Sequence, residues 1–354
     1  MQSSSRPARV AVVGATGYGG AELLRHLLFH PHVEVVRLVA KDHIGARIDD
    51  VHLSLAGSCD LRVEDLEPED AVAGVDLVFL GLPHRVSAPV VARYADLGVK
   101  VIDLAGDYRL ADAATYARYY EAVHPHPERL GTFAYGLPEL FRDEIRGARL
   151  VSSPGCFATL ATLCLAPFAG AALVAGRVQM CAMTGSSGSG ANPTLGTHHP
   201  LRAGTLRPYK PLGHQHTPEI VQNLRRSGGG DVALDFVPVS APLVRGILAT
   251  CFFEVDADAD QARLDHVLRD AYNGEPLIRL VAGRLPQTGA VAGSMSVELA
   301  VTCGEDVRDG RRPVVVHGAI DNLVKGGAGQ AVQSMNLVLG VDELTGLSAP
   351  GLWP

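Results

Sequence analysis

The segment Arg9-Val-Ala-Val-Val-Gly14-Ala-Thr-Gly17-Tyr-Gly-Gly20 decides the fold of the first part of the chain. A short apolar run leads into a glycine-rich turn, after which apolar residues recur at helical spacing at Ala21, Leu23, Leu24, Leu27 and Leu28. Glycines at a strand-to-helix turn let backbone N–H groups and the helix dipole approach a pyrophosphate. The segment predicts a βαβ unit that binds a dinucleotide, with a purely structural turn as the alternative.

The apolar pattern further along the chain predicts two domains. Short apolar runs alternate with helical patterns up to residue 155, and this predicts parallel strands at residues 9–13, 33–39, 75–80, 99–104 and 148–152. Later runs are longer and predict strands at residues 178–183, 232–239, 247–255, 294–302 and 314–317. Helices are predicted at residues 218–225, 261–272 and 329–339.

These patterns predict an α/β fold, a Rossmann-type doubly wound parallel sheet with a second α+β domain of mainly antiparallel sheet. We assign residues 1–155 to the NADP-binding Rossmann domain, completed by a C-terminal helix at residues 322–354. Residues 156–321 form the predicted domain for catalysis, substrate binding and oligomerisation.

Composition narrows the classes of function. The chain has 354 residues and a net charge of −7, which disfavours general nucleic-acid binding because that needs a basic face. No apolar run approaches the roughly 20 residues that span a bilayer, so we expect a cytoplasmic protein. The six cysteines form no CxxC pair and show no zinc spacing, so no metal site is predicted.

The end of the second predicted strand bears on the choice of dinucleotide. An NAD site places a carboxylate there to bond the ribose 2′-hydroxyl, whereas NADP needs a cation. The sequence reads Ala40-Lys41-Asp42, with Arg47 nearby. Lys41 favours NADP, because its charge suits the 2′-phosphate. Asp42 beside it leaves NAD as an alternative cofactor. The other alternative is that Lys41 is an ordinary surface residue with no function in cofactor binding.

Cys156 differs from the other cysteines by its setting. Ser152-Ser-Pro-Gly-Cys156-Phe-Ala-Thr159 joins a predicted strand to a predicted helix, and a helix N-terminus favours thiolate over thiol. A buried structural cysteine is the alternative.

The segment from Thr197 to His216 contains four histidines with Arg202, Arg207 and Lys210, and it predicts either an anion site or a solvated basic loop.

The chain resembles the N-acetyl-gamma-glutamyl-phosphate reductases and their relatives in lysine biosynthesis, which act on aminoadipyl phosphate held by an amino-group carrier protein. The resemblance rests on segments that occur in family order over nearly the whole chain. They are GATGYGGAELLRHLLFHP from Gly14, LPH at residues 82–84, DLAGDYRL at 103–110, SSPGCFAT at 152–159, GHQHTPEI at 213–220 and DNLVKGGAGQAVQ at 321–333.

The resemblance implies a Cys156 nucleophile and a His216 acid/base. It implies a cofactor site for NADP(H), which we assign to Gly14, Thr16, Gly17, Tyr18, Gly19, Ala40, Lys41, Asp42, Pro83, Ser186 and Asn322. We predict that substrate is held by Arg109, His199, Arg202, Lys210 and Arg245. The sequence departs from the family at Phe157-Ala158, where Tyr-Pro is common, and at Gln215, where arginine is usual.

The implied reaction is reduction of an acyl phosphate to a semialdehyde through a Cys156 thioester, in arginine or lysine biosynthesis. The segment 198–210 and the ending Pro350-Gly-Leu-Trp-Pro354 look more similar to the carrier-protein enzymes than to those acting on free N-acetylglutamyl phosphate. A homo-oligomer, dimer or tetramer, is expected. An aspartate-semialdehyde dehydrogenase and a catalytically silent NADPH-sensing regulator are the alternatives.

Overall fold

The computed structural model describes residues 6–174 and 176–353. The chain divides into two compact units. The first comprises the residues up to Pro154 together with Gly327–Ala349, and the second comprises Gly155–Gly326 and the residues from Pro350 onward.

The first unit contains seven strands and seven helices in its described residues. Its strands are β1 Ala8–Val13, β2 Val33–Val39, β3 Val63–Glu64, β4 Leu77–Leu80, β5 Lys100–Asp103, β6 Ala134–Tyr135 and β7 Leu150–Ser152. Its helices are α1 Tyr18–Leu27, α2 Ile48–Val51, α3 Pro68–Ala71, α4 Ser87–Asp96, α5 Ala113–Tyr120, α6 Pro138–Arg146 and, near the C-terminus, α12 Gly329–Leu339.

The strands of the first unit form one parallel sheet in the order β3-β2-β1-β4-β5-β7-β6. The predicted parallel sheet is confirmed. β1, β4 and β5 are apolar and largely buried, as expected for central parallel strands. Strands β3 and β6 were not predicted, because two residues are too short to show a period of two.

A buried carboxyl group ends β5. The Asp103 side chain accepts hydrogen bonds at 3.0 Å from the Ser87 hydroxyl and from the Ala105 backbone N–H. Burial, more than the nearby Asp107, raises the pKa of Asp103 from 3.8 to about 7. The folded protein therefore keeps this proton at pH values where the unfolded chain has lost it.

Replacing Asp103 by Asn should change how stability depends on pH. The stability contributed by the protonated carboxyl is complete below pH 3.8, the unfolded value, and is lost as the pH rises through about 7. At pH 8 the Asn variant should gain on the order of 3 kcal/mol over the wild type, since it carries no charge to bury. Thermal unfolding between pH 5 and pH 8 measures this effect.

Asp143→Asn is the matched control, because the Asp143 side chain is 94% exposed on α6. It should leave the pH dependence of the melting temperature unchanged. Parallel pH curves for wild type and the Asp103 variant would contradict a protonated Asp103.

The second unit is built on a seven-stranded mixed sheet. Its strands are β8 Gly176–Thr184, β9 Arg207–Pro208, β10 Val232–Ser240, β11 Ile247–Asp256, β12 Ile278–Leu280, β13 Val297–Cys303 and β14 Arg311–Ile320. Its helices are α7 Cys156–Gly170, α8 His199–Arg202, α9 His216–Arg226, α10 Gln261–Ala271 and α11 Thr288–Val291.

The order of this sheet is β12-β13-β14-β11-β8-β10-β9. Pairs β12/β13 and β8/β10 are parallel, and the other neighbours are antiparallel, so the mainly antiparallel prediction is confirmed for a mixed sheet. Helix α7 packs on β11 and β14 and is buried on nearly all sides, which explains its almost wholly apolar sequence.

Residues 322–354 were predicted as one C-terminal helix that completes the first domain, and the structure differs from this prediction. Only α12 is a long helix there, and it ends at Gly340, whose φ of +71° stops it. The residues after Ala349 group with the second unit, because the Leu352 N–H donates to the Ala292 carbonyl at 2.7 Å.

No helix in the described part of the chain is long and apolar enough to cross a membrane.

Candidate active site

Cys156 is the first residue of α7, and Gly155 is its N-cap. The residue is partly exposed, whereas the following turns of the helix are buried. The Gly155 N–H, just before the cysteine, donates to Oε1 of Glu219 at 2.9 Å. Since Glu219 lies on α9 and is wholly buried, it ties the start of α7 to a second helix.

His216 begins α9 and contacts the residue that precedes the cysteine. A Cβ atom placed on Gly155 would lie 2.3 Å from Nε2 of His216, closer than real Cβ contacts come. Gly326 similarly approaches the cysteine, since a Cβ there would lie 2.8 Å from the Cβ of Cys156. The two glycines thus let the His216 imidazole approach the backbone before Cys156 and let the backbone at Gly326 approach Cys156 itself.

Buried contacts fix the position of His216. Its backbone N–H donates to Nδ1 of His214 at 3.1 Å, and the His214 ring packs edge-on against Phe157 and Phe236. Further along α9, the Asn223 amide donates to the Thr162 hydroxyl of α7 at 3.3 Å. The first histidine of the pair therefore supports the second.

Tyr209 lies near this centre, although it was not predicted as a site residue. Its ring meets the ring of His214 edge-on at 5.8 Å, and its backbone N–H donates to the Pro238 carbonyl. Burial and, after it, the Cys156 charge raise the pKa of Tyr209, while Arg202 and Arg207 lower it. The phenol therefore stands within electrostatic reach of the thiol and of the basic segment.

The predicted substrate-binding cations of the second unit differ in their surroundings. Arg202 is half-buried, and its guanidinium donates to the Ser240 hydroxyl and to the backbone carbonyls of Ala241 and Leu243. Desolvation lowers its pKa. Arg202 thus holds the basic segment, residues 197–216, against other residues of the second unit.

The other three candidates of this unit reach solvent. His199 is exposed at the start of α8, and Lys210 is exposed and donates to Oε1 of Gln215 at 3.3 Å. Arg245 is 36% exposed and forms an ion pair with the buried Asp321 at 3.7 Å.

Arg109 lies in the first unit and is only 6% exposed. Its Nε donates to the Ser153 carbonyl and its Nη2 to the Leu104 carbonyl, each at 2.7 Å. These bonds hold the backbone that leads to Cys156. A structural function for Arg109 is therefore visible, and its predicted contact with substrate stays a prediction.

The glycine-rich turn of the first unit has two kinds of glycine. A Cβ on Gly14 (φ +82°) would lie 2.5 Å from the Gly81 carbonyl oxygen, and one on Gly20 would lie 2.3 Å from that of Ala15. These two glycines serve close packing within the turn. A Cβ on Gly17 would make only an ordinary contact, 3.7 Å from the Gly14 carbonyl oxygen, and one on Gly19 would meet nothing within 4 Å. The turn thus fits a pyrophosphate that approaches the backbone at α1.

Charged residues stand beside this turn. The Thr16 hydroxyl donates to Oδ1 of Asp42 at 2.5 Å, and Lys41 forms an ion pair with Asp65. Tyr18 is 45% exposed at the start of α1. These residues, with Ala40 after β2 and Pro83 after β4, lie at the carboxyl ends of the strands, where ligands of parallel sheets bind.

Ser186 and Asn322 belong to the second unit. The buried Asn322 accepts the Gly246 N–H at 2.7 Å and donates to the Ser187 hydroxyl at 3.0 Å, so it organises the turn that contains Ser186. Their contact with the cofactor stays a prediction.

Among residues 6–174 and 176–353, no group of three or more His, Cys, Asp or Glu side chains is placed to hold a metal ion.

Comparisons with known proteins agree with this arrangement. Residues 9–148 match the family described as semialdehyde dehydrogenase, NAD binding domain, and residues 156–322 match semialdehyde dehydrogenase, dimerisation domain. The chain belongs to the semialdehyde dehydrogenase family. It is an oxidoreductase, and its first unit is a nicotinamide-dinucleotide-binding domain.

The resemblance to the N-acetyl-gamma-glutamyl-phosphate reductases is also confirmed. An N-acetyl-gamma-glutamyl-phosphate reductase of Desulforudis audaxviator is 42% identical, covering 98% of this chain and 99% of its own length. A protein of Thermomicrobium roseum named "Putative LysW-L-2-aminoadipate 6-phosphate reductase" has the same identity and coverage. Aspartate semialdehyde dehydrogenase II of Vibrio cholerae shares the fold, with 20% identity, a TM-score of 0.69 and coverage of 95% and 99%.

Several site residues were quoted within motifs without being singled out. Gly155 and Glu219 lie in SSPGCFAT and GHQHTPEI, and Gly326 lies in DNLVKGGAGQAVQ. The paired glycines of the last segment, at a position that needs no positive φ, were the available signal for a close approach.

Replacing Gly155 by Ala should displace His216, because the new methyl group would occupy the place of the imidazole. Alkylation of Cys156 by iodoacetamide, followed peptide by peptide in mass spectra, should slow by about tenfold or more, since the thiolate loses its neighbouring base.

Gly147→Ala is the matched control, because a Cβ there meets nothing within 4 Å. It should leave the alkylation rate unchanged. A folded Gly155 variant with wild-type thiol reactivity would show that the imidazole does not activate Cys156.

Proposed function

We propose that the protein reduces an acyl phosphate to an aldehyde with NADPH, through a thioester on Cys156. The observation that carries the proposal is that the His216 imidazole lies against Gly155, the residue before Cys156, and that Cys156 and His216 are each the first residue of a helix. A thiol at a helix N-terminus beside an imidazole is suited to nucleophilic attack on an activated carbonyl.

The Cys156 thiolate attacks the carbonyl carbon, and the bond to the phosphate oxygen breaks, which releases inorganic phosphate. The bound dinucleotide supplies the hydride that reduces the resulting thioester. The carbon–sulfur bond of the thiohemiacetal then breaks as His216 takes the hydroxyl proton, and this gives the aldehyde and the thiolate. His216 takes the thiol proton at the start and returns a proton to the oxyanion during reduction, a function worth about 10² to 10⁴ in rate.

The cofactor in this proposal is NADP(H). Lys41 follows β2, where a 2′-phosphate would be bound, and its ion pair with Asp65 is solvent-exposed. Such exposed pairs contribute only about 0–1 kcal/mol, so a phosphate dianion can replace the carboxylate. The open space over Gly19, beside the uncrowded Gly17, accepts the pyrophosphate.

The proposed substrate is glutamyl or aminoadipyl phosphate carried by an amino-group carrier protein, in the cytoplasm. Relatives named for the free acetylated substrate and for LysW-linked substrates are equally similar, at 42% identity. The preference therefore rests on the segment 198–210, which is exposed and basic and contains no Asp or Glu. N-Acetylglutamyl phosphate of arginine biosynthesis is the second candidate.

The proposal includes a homo-oligomer formed by the second unit. One face of its sheet carries apolar side chains that reach solvent, including Met183 on β8 and Phe252 on β11 at 38% and 43% exposure. Leu248 pairs with Met183 in register, and Val315 of β14 pairs with Phe252. A second copy would cover this strip, and the family matched here is described as a dimerisation domain.

Replacing Cys156 by Ser should lower turnover of acyl phosphate by about 10³-fold or more, because the thioester can no longer form. Binding of NADP⁺, measured by calorimetry, should be unchanged. Cys303→Ser is the matched control, since Cys303 is a partly exposed cysteine at the end of β13. Near-normal turnover by the Cys156 variant would exclude the thioester mechanism.

The substrate class is tested by direct competition. Free N-acetylglutamyl phosphate and carrier-linked glutamyl or aminoadipyl phosphate are each offered with NADPH, and NADPH oxidation is followed. The carrier-linked compounds should show kcat/KM at least about 100-fold higher, because a carrier adds contacts that the free substrate lacks. Activity on the free acetylated substrate alone would select the arginine pathway.

A further inference from the structure

A pair of charged residues joins the ends of two neighbouring strands. β2 and β3 are parallel partners, with Leu38 opposite Val63 and Val39 opposite Glu64. Lys41 and Asp65 follow their ends, and Nζ of Lys41 lies 2.5 Å from Oδ1 of Asp65. The side chains are 74% and 41% exposed, so the ion pair stands in solvent at the carboxyl edge of the sheet.

Lys41 already forms an ion pair with Asp65 at the position where its ammonium group would bind a ligand. The hydrogen bond to Asp65 is the main cause that raises the pKa of Lys41, with a smaller contribution from Glu67. Lys41 is therefore cationic but paired. A 2′-phosphate that binds Lys41 must displace the Asp65 carboxylate or share the lysine with it.

The other acid at this edge has a different partner. Asp42 accepts the hydroxyl hydrogen of Thr16 within the glycine-rich turn. A carboxylate after β2 is the group that bonds a free ribose 2′-hydroxyl in NAD sites. The edge thus presents a carboxylate suited to NAD and a cation suited to NADP, and the cation is held by Asp65.

We propose that Asp65 sets the ratio of NADP(H) to NAD(H) affinity by competing with the 2′-phosphate for Lys41. This inference rests on the proposed function only in taking NADP(H) as the cofactor. Asp65 belongs to none of the segments that carry the family resemblance, and only the position of β3 beside β2 brings it to the site. Asp65 lowers the affinity for NADP(H) and leaves that for NAD(H) unchanged, because NAD(H) has no group that needs Lys41.

The test is calorimetric binding of NADP⁺ and NAD⁺ to the full chain, without substrate. Asp65→Asn should lower the Kd for NADP⁺ by about fivefold, since one competing exposed ion pair is removed, and should change the Kd for NAD⁺ by less than about twofold. The gain for NADP⁺ should shrink as salt is raised, because exposed charges are screened.

Two further variants make the result specific. In a Lys41→Ala background Asp65→Asn should leave the NADP⁺ affinity unchanged, because the competition needs the lysine. Asp96→Asn is the matched control, since it removes the same charge from an exposed ion pair with Arg129 at the C-terminal end of α4. It should leave both affinities unchanged.

The outcomes separate this inference from the proposed function. If the wild type binds neither dinucleotide, the proposed function fails and this inference fails with it. If the wild type binds NADP⁺ and Asp65→Asn leaves the ratio of affinities unchanged, only the selectivity inference is overturned. An equal gain in the Lys41→Ala background also overturns it, because general repulsion would then explain the effect.

Discussion

The packing around Cys156 in the second unit depends on the absence of a side chain at Gly155. With no Cβ there, the His216 imidazole lies against the backbone that immediately precedes Cys156. The same residue donates its N–H to Glu219, so one backbone amide joins the two helices that hold the thiol and the imidazole. The position of His216 relative to the start of α7 is therefore set by backbone packing, which is more rigid than a contact between two flexible side chains.

Buried polar contacts then determine how the two helices align. Helix α7 is apolar on nearly every side, and apolar packing alone would accept more than one register against α9. Glu219 and Asn223 lie wholly buried on α9, and they bond to Gly155 and Thr162 of α7. A shift along the helix axis would leave these polar groups buried without those bonds, at a cost of about 1–3 kcal/mol each. The polar pairs thus select the register in which the thiol meets the imidazole.

The sequence predicted the long, periodic elements, and it missed the contacts that depend on residues distant in the chain. The bounds of β2 and α12 agree with their predictions, because each has a clear apolar pattern and a defined end. The strands β3 and β6 have two residues each and show no pattern. Gly326 was missed for another reason: its closeness to Cys156 arises from tertiary packing and leaves no local periodicity.

The predicted cationic residues also show that the sequence does not identify partners distant in the chain. A basic residue in a sequence predicts a positive charge, but the fold determines which acceptor groups its side chain donates to. Arg109 and Arg202 were predicted to hold substrate, yet each donates to carbonyl groups of its own domain. Lys41 faces solvent, but the strand order places Asp65 beside it. In the proposed competition, cofactor preference would depend on sheet topology as much as on the residues after β2, since Asp65 follows the neighbouring strand.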